Sequence, residues 1–128
     1  MKSLQDFVKE AKSRIKEVDV NQAQIMINDG YKVLDVREPG EFISGTIENA
    51  LNIPRGILEA ASDLQYPGAN PAIRDCRNDK WLVLCRTGGR AAMATDVLQQ
   101  MGFTNVVNII GGMEAWNQAN LPSVSQTI

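Results

Sequence analysis

Apolar residues near the N-terminus recur at the three- and four-residue spacing of an α-helix. Lysine and glutamate side chains fill the positions between them, as in an amphipathic helix with one buried face. The residues that share the apolar face are Leu4, Phe7, Val8, Ala11, Ile15 and Val18. We therefore predict an N-terminal helix over residues 1–17 that packs on the rest of the domain, in preference to a helix that binds a separate partner.

Beyond this helix, apolar runs of strand length alternate with helical patterns. Strands are predicted over residues 31–36, 50–53, 81–84 and 106–110. Helices are predicted over residues 22–28 with Asn21 as N-cap, 56–63, 89–100 and 113–119, with one short piece after Pro71 and a turn at residues 38–40. The alternation predicts an α/β fold with a mostly parallel central sheet and helices on both faces. In such folds, sites form at the carboxyl ends of the strands.

Length and charge narrow the function classes. The chain has 128 residues, which fits one domain. It carries 13 basic and 15 acidic residues, a formal net charge of −2, so no basic surface for nucleic acid or an anionic membrane is expected. The apolar runs are shorter than a membrane span, and charges interrupt the N-terminal segment too often for a secretory signal. We therefore expect a cytoplasmic protein that binds neither nucleic acid nor membrane.

The content of cysteine and histidine restricts the chemistry further. The chain has two cysteines, Cys76 and Cys85, and no histidine. A Cys–His or Ser–His catalytic pair is therefore impossible, as is an imidazole metal ligand. Two thiolates alone make a poor zinc site. We expect no metal and no organic cofactor.

The most reactive segment is the loop after the third predicted strand. Cys85 lies where that strand ends and a helix begins, and Gly88 and Gly89 let the backbone between them curl with its amide groups inward. The helix N-terminus lies behind the loop, and Arg86 and Arg90 add positive charge. These features favour the thiolate, so we predict that Cys85 is a nucleophile rather than a buried structural cysteine.

Cys85-Arg86-Thr87-Gly88-Gly89-Arg90, between a strand and a helix, resembles the active-site loop of the rhodanese family of sulfurtransferases. Three further motifs resemble the family's in the same order. They are VLDVR at residues 33–37 followed by Glu41 and Phe42, ALNIP at residues 50–54, and GGMEAW at residues 111–116. The resemblance covers residues 18–122, which we assign to a rhodanese-like domain followed by a tail over residues 123–128.

The resemblance implies an α/β sandwich and a cysteine that cycles through a persulfide. Cys85 would take sulfane sulfur from thiosulfate or a persulfide donor and pass it to cyanide or a thiol. The five loop residues after Cys85 would bind the substrate. The partners implied are small sulfur-containing anions and thiol acceptors, with a protein sulfur acceptor as a further option. One departure is Thr46, where the family usually has a histidine, and we expect it to affect local stability more than catalysis.

Four other side chains are weaker candidates. Asp35 and Arg37 end the first predicted strand and either help to shape the anion pocket or, as we prefer, hold the turn through an Arg37–Glu41 pair. Arg55 follows the second strand and either binds donor anions or is simply solvated. Cys76 either resolves a Cys85 persulfide or, as we prefer, is an incidental thiol, since the sequence does not place the two sulfurs within bridging range.

Two rival functions are weighed against the enzyme. One is a persulfide carrier or sensor module that acts with a protein partner and turns over small molecules poorly. The other is an arsenate reductase or a phosphatase. Four residues separate Cys85 from Arg90, whereas the related phosphatase loops have five. The shorter loop favours attack on the outer sulfur of a thiosulfate-like donor over a phosphate.

Overall fold

The computed structural model describes residues 1–125 and places a five-stranded parallel sheet at the centre of the protein. The strands are β1 (Lys16–Val18), β2 (Lys32–Asp35), β3 (Leu51–Asn52), β4 (Lys80–Leu84) and β5 (Asn105–Ile109). Their order across the sheet is β1-β5-β4-β2-β3, and every pair is parallel. The predicted α/β class with a parallel sheet is confirmed. Of the predicted C-terminal tail, residues 126–128 lie outside the described residues.

Seven helices in residues 1–125 cover this sheet on both faces. They are α1 (Leu4–Lys12), α2 (Val20–Asn28), α3 (Pro39–Ser44), α4 (Leu58–Ser62), α5 (Pro71–Arg74), α6 (Gly89–Gln100) and α7 (Gly112–Gln118). A 3₁₀ turn, Arg55–Ile57, leads into α4. No helix in this part of the chain is both long and apolar enough to cross a membrane.

Two apolar cores lie on opposite faces of the sheet because successive side chains of a strand point in opposite directions. In β4, Trp81 and Val83 pack into the core covered by α4, α5 and α6, together with Cys85. Leu82 and Leu84 pack into the core covered by α2 and α7. All the apolar side chains of β4 are therefore buried, as expected for a central parallel strand. Cys85 continues the alternation and places its thiol on the α6 face.

The N-terminal segment differs from its prediction. Helix α1 ends at Lys12, and residues 16–18 form strand β1, which pairs with β5. The predicted helix over residues 1–17 is thus wrong beyond Lys12. Ile15 and Val18 fit the helical phase of the preceding apolar residues, and a three-residue strand has no periodicity of its own to reveal it. Helix α1 packs against α6.

Two helix starts also differ from the sequence prediction. Asp19, not Asn21, caps α2, and its carboxylate accepts a hydrogen bond from the Gln22 amide at 2.8 Å. Residues 39–44 form helix α3 where a turn was predicted. Pro39 occupies the first helical position, where its missing N–H is not needed. Six residues are too few to show a helical apolar period, so the pattern alone gave no sign of α3.

Candidate active site

Cys85 lies at the carboxyl end of β4, the central strand of the sheet, and is only 1% exposed. Its Sγ accepts hydrogen bonds from two backbone amides, that of Gly88 at 3.1 Å and that of Ala91 at 3.3 Å. Ala91 belongs to the first turn of α6, whose N-terminal end carries partial positive charge. Two amide donors and a helix N-terminus on one sulfur form a site suited to an anionic sulfur. The structure therefore places Cys85 where the sequence analysis expected a nucleophile.

The backbone of the loop carries further unused donors. In residues 1–125, the amides of Arg86, Thr87, Gly89 and Arg90 donate to no protein acceptor. Gly88 adopts a left-handed conformation with φ +107°, and a Cβ there would lie 3.3 Å from the Gly111 nitrogen. Glycine is thus needed both for the turn and for the close approach. The result is a set of amides around Cys85 that are free to bind an anion.

Helix α7 holds the loop from behind. The Met113 amide donates to the Cys85 carbonyl at 2.8 Å, and the Glu114 amide donates to the Arg86 carbonyl at 3.0 Å. This approach requires Gly112, whose φ is +55° and whose Cβ, if present, would overlap the Cys85 carbonyl oxygen and lie 2.8 Å from the Arg86 carbonyl carbon. The glycine pair noted in the sequence therefore lets one helix start fix two peptide groups of the loop.

Asn108 supports the loop from β5 and was not identified from the sequence. Asn108 is fully buried. Its side-chain Nδ2 donates to Glu17 Oε2 at 2.7 Å and to the Gly88 carbonyl at 3.4 Å. Lys12 lies 3.3 Å from the same Glu17 oxygen. In the sequence, Asn108 is the one polar residue of the apolar run VVNII at residues 106–110. Because a buried amide needs hydrogen-bond partners, this position could have been identified as a structural contact. The N-terminal segment is thereby connected to the loop.

Both arginines of the loop are paired with carboxylates. Arg90 donates from Nη1 and Nη2 to the two oxygens of Glu41, at 2.8 and 3.0 Å, with both side chains about one third exposed. The hydrogen bonds from Arg90 lower the pKa of Glu41 to about 2. Arg86 donates from Nε to Glu114 at 3.0 Å in a much more exposed pair. Neither pair was predicted, because the partners lie far apart in the sequence.

Asp35 and Arg37 form a buried pair that holds the segment after β2. Arg37 donates from Nε and Nη2 to the Asp35 carboxylate and from Nη2 to the Gly45 carbonyl at 2.6 Å. The predicted Arg37–Glu41 pair is therefore wrong, since Glu41 is bound to Arg90 instead. Thr46 donates from Oγ1 to Asp35 Oδ2 at 2.8 Å and is fully buried. The hydroxyl at the position of the family histidine thus serves this network.

An open cleft of about 300 Å³ lies between α3 and α7. Arg37 and Glu41 line one side of it, and Arg86 and Glu114 line the other. Arg37 therefore belongs to a buried ion pair and also lines the wall of the cleft. Arg55 is bound by Glu59 at 2.8 Å, and its backbone amide donates to the Val36 carbonyl. Among the described residues, no hydrogen bond or ion pair joins Arg55 to the loop.

Cys76 lies at the opposite end of the sheet from Cys85. Its carbonyl accepts from the Trp81 indole at 2.9 Å, and its Sγ lies 3.9 Å from Lys32 Nζ, at the start of β2. Cys85 lies four positions after Trp81 in the sequence, a span of about 13 Å in a strand. Disulfide formation needs Cα atoms within about 7 Å. The geometry therefore favours an incidental thiol over a resolving cysteine.

Comparison with known proteins gives a consistent picture. The family model for the rhodanese-like domain matches residues 18–119. The chain is 34% identical over 108 residues to "Thiosulfate sulfurtransferase 16, chloroplastic" of Arabidopsis thaliana, covering 83% of this chain and 90% of the relative. It is 35% identical over 88 residues to "Putative thiosulfate sulfurtransferase, mitochondrial" of Schizosaccharomyces pombe, covering 66% of this chain and 62% of the relative.

Solved structures of other proteins share this fold. A Rhodopseudomonas palustris protein of unknown function, described as a possible tyrosine phosphatase, superposes with a TM-score of 0.87 at 30% identity, covering 95% of this chain and 94% of the other. A human single-domain sulfurtransferase superposes with a TM-score of 0.69 at 29% identity, covering 80% of this chain and 95% of the other. With the family model spanning most of the sequence, the chain belongs to the rhodanese-like domain family.

Proposed function

We propose that this protein is a sulfurtransferase that moves sulfane sulfur from thiosulfate or a persulfide donor to cyanide or a thiol acceptor through a Cys85 persulfide. The observation that carries the proposal is the environment of Cys85 Sγ. This buried sulfur accepts two amide hydrogen bonds at the end of a central strand, with free amides beside it. Such a site stabilises negative charge on sulfur and can hold a second sulfur atom bound to it.

The first half-reaction needs no general base if Cys85 enters as the thiolate. The thiolate attacks the outer sulfur of the donor, a bond forms between Cys85 Sγ and that sulfur, and the donor's sulfur–sulfur bond breaks. Sulfite or a thiolate leaves with the electron pair. The absence of histidine is therefore no obstacle to this chemistry.

In the second half-reaction an acceptor thiolate or cyanide attacks the outer sulfur of the persulfide. The bond to Cys85 Sγ breaks, and Cys85 recovers its electron pair as thiolate. The free amides of Arg86, Thr87, Gly89 and Arg90 can bind the charge on the outer sulfur between the two half-reactions. Sulfur transfer as the reaction class is supported by the two relatives above, which are named as a thiosulfate sulfurtransferase and a putative one.

A persulfide carrier that serves a protein acceptor is the second candidate. The observation in its favour is the surface beside the loop. Helix α1 lies against the start of α6, with Val8 Cγ2 3.5 Å from the position of a Cβ on Gly89. On the same helix, the side chains of Leu4 and Phe7 are exposed. An apolar surface next to the nucleophile suits contact with another protein.

A steady-state transfer assay tests the proposal and separates the two candidates. With thiosulfate or a persulfide as donor and cyanide or a small thiol as acceptor, the wild type should turn over many times. Cys85→Ser should abolish turnover, while the matched variant Cys76→Ser should retain it, because Cys76 lies at the other end of the sheet. A single turnover that stops at the loaded protein would favour the carrier. Turnover by Cys85→Ser near the wild-type rate would exclude both candidates.

A further inference from the structure

The charges around Cys85 are almost balanced. Arg86 and Arg90 are the positive side chains of the loop, and each is bound to a carboxylate from a neighbouring helix, Glu114 and Glu41 respectively. From the sequence, these two arginines are expected to bind the substrate together with the other residues of the loop. With Cys85 as thiolate, the two positive and three negative side chains leave this part of the site with one net negative charge. These side chains therefore add no net attraction for a dianionic donor to that of the loop amides.

Glu41 is held in place by more than its ion pair. Its Oε1 accepts from the Glu38 backbone amide at 3.1 Å as well as from Arg90 Nη1 at 2.8 Å, and its Oε2 accepts from Arg90 Nη2 at 3.0 Å. Both terminal nitrogens of the guanidinium are therefore engaged with a carboxylate that the first turn of α3 fixes. An oxyanion of a donor could use this end-on fork only by displacing the carboxylate. At the other N–H groups of Arg90 it would lie close to the negative charge of Glu41.

We propose that Glu41, with a smaller contribution from Glu114, makes the Cys85 site select thiol persulfides over thiosulfate as sulfur donors. This inference rests on the sulfurtransferase function proposed above. Glu41 acts as a specificity-determining residue because it neutralises the charge of Arg90 and occupies the end-on fork that the oxyanions of thiosulfate could use. Glu114 contributes less, because it is bound to Arg86 through Nε alone. That pair is also more exposed and more strongly screened by solvent.

Thiosulfate carries two negative charges and three terminal oxygens. A thiol persulfide has no oxygen atoms on the sulfur that leaves, and it has at most one charge on its outer sulfur. The loop amides are sufficient for such a donor. In the transfer step the Cys85 thiolate attacks the outer sulfur of R–S–SH, the Cys85–sulfur bond forms, and the donor's sulfur–sulfur bond breaks. R–S⁻ leaves with the electron pair, and the proton stays on the transferred sulfur, so atoms and charge balance.

The test compares the rate at which two donors load sulfur onto Cys85. The donors are thiosulfate and cysteine persulfide, and the second-order rate constants are measured by quenched intact-mass spectrometry on the full chain. The wild type should load faster from cysteine persulfide. Glu41→Gln keeps the shape of the side chain and the acceptor for the Glu38 amide while removing the charge. It should raise the thiosulfate rate constant, and lower the persulfide-to-thiosulfate ratio, about tenfold, the effect of one charge-assisted hydrogen bond made available.

Glu48→Gln is the matched control, because it removes the same charge from an exposed residue that has no ion pair among the described residues. It should leave the ratio unchanged. Glu114→Gln provides an independent test at an exposed position, where the substitution does not put the fold at risk. It should lower the persulfide-to-thiosulfate ratio at least about twofold, a smaller change than in Glu41→Gln because the Arg86–Glu114 pair is exposed and weaker.

The outcomes distinguish this inference from the function beneath it. A ratio that stays the same in Glu41→Gln and Glu114→Gln, or a wild type that prefers thiosulfate, would overturn the selectivity while Cys85 still gains sulfur. Loading from neither donor would overturn the sulfurtransferase proposal itself.

Discussion

Replacing Gly112 with alanine should damage both stability and the Cys85 loop. Gly112 begins α7 with φ +55°, and an added Cβ would overlap the Cys85 carbonyl oxygen and lie 2.8 Å from the Arg86 carbonyl carbon and oxygen. These neighbours are backbone atoms of the loop, so they cannot move aside as a flexible side chain can. The loop would have to shift, and with it the hydrogen bonds that the Met113 and Glu114 amides donate.

The magnitude follows from two contributions. A left-handed conformation costs alanine about 1–2 kcal/mol relative to glycine. Forcing an extra carbon into a closely packed site costs about 1–3 kcal/mol more. Together these reduce the free energy of unfolding by about 2–5 kcal/mol, a large part of the roughly 5–15 kcal/mol that stabilises an ordinary domain. The rate of sulfur loading on Cys85 should fall as well, because the loop peptide groups are displaced.

Urea denaturation and a loading assay on the same protein measure the two effects. Gly56→Ala is the matched control, because a Cβ at Gly56 meets no atom within 4 Å and the residue lacks a left-handed φ. Its free energy of unfolding should change by less than about 0.5 kcal/mol. If Gly112→Ala is as stable as Gly56→Ala and loads sulfur at the wild-type rate, the account of α7 as the support of the loop is wrong.

Three further predictions concern the surroundings of the site. Thr46→Val should lower the free energy of unfolding by about 1–3 kcal/mol, because it leaves the buried Asp35 carboxylate without one donor; urea denaturation beside Thr46→Ser, which keeps the hydroxyl and should stay near wild type, checks this. Glu41 has a pKa of about 2 in the folded protein against about 4.3 when unfolded, so its pair with Arg90 stabilises the protein above about pH 4.3 and is lost as the pH falls through about 2. The wild-type advantage in stability over Glu41→Gln, under about 1 kcal/mol for so exposed a pair, should therefore shrink between pH 5 and pH 2.5, and a constant difference would contradict the pairing. Activity on aryl phosphates should be negligible because four residues separate Cys85 from Arg90; kcat/KM values comparable to those for a sulfur donor would refute the loop-length reasoning.

The parts of the fold that carry long patterns could be predicted from the sequence. The apolar run of β4 and the helical period of α6 bracket Cys85, and both elements lie within a residue of their predicted positions. Strand β1 and helix α3 could not be found in this way. Elements of three and six residues are shorter than the window over which apolar periodicity is visible.

The partners of charged side chains were harder to predict than the elements. Arg37 and Glu41 are four residues apart, which favours a pair only if both lie on one helix. Arg37 lies before α3, so its guanidinium folds back on Asp35 instead. The Arg90–Glu41 pair joins residues 49 apart in the sequence, and no local rule reveals such a contact. The loop itself was identified because its chemistry lies in six consecutive residues.

The central claim is that Cys85 accepts a sulfur atom. The intact mass of the protein after incubation with thiosulfate, and separately with cysteine persulfide, tests this most directly. The account predicts a gain of one sulfur atom that maps to the peptide containing Cys85, disappears on treatment with a thiol reductant, and is absent in Cys85→Ser but present in Cys76→Ser. An unchanged mass with both donors, or a sulfur atom found on Cys76 instead, would contradict it.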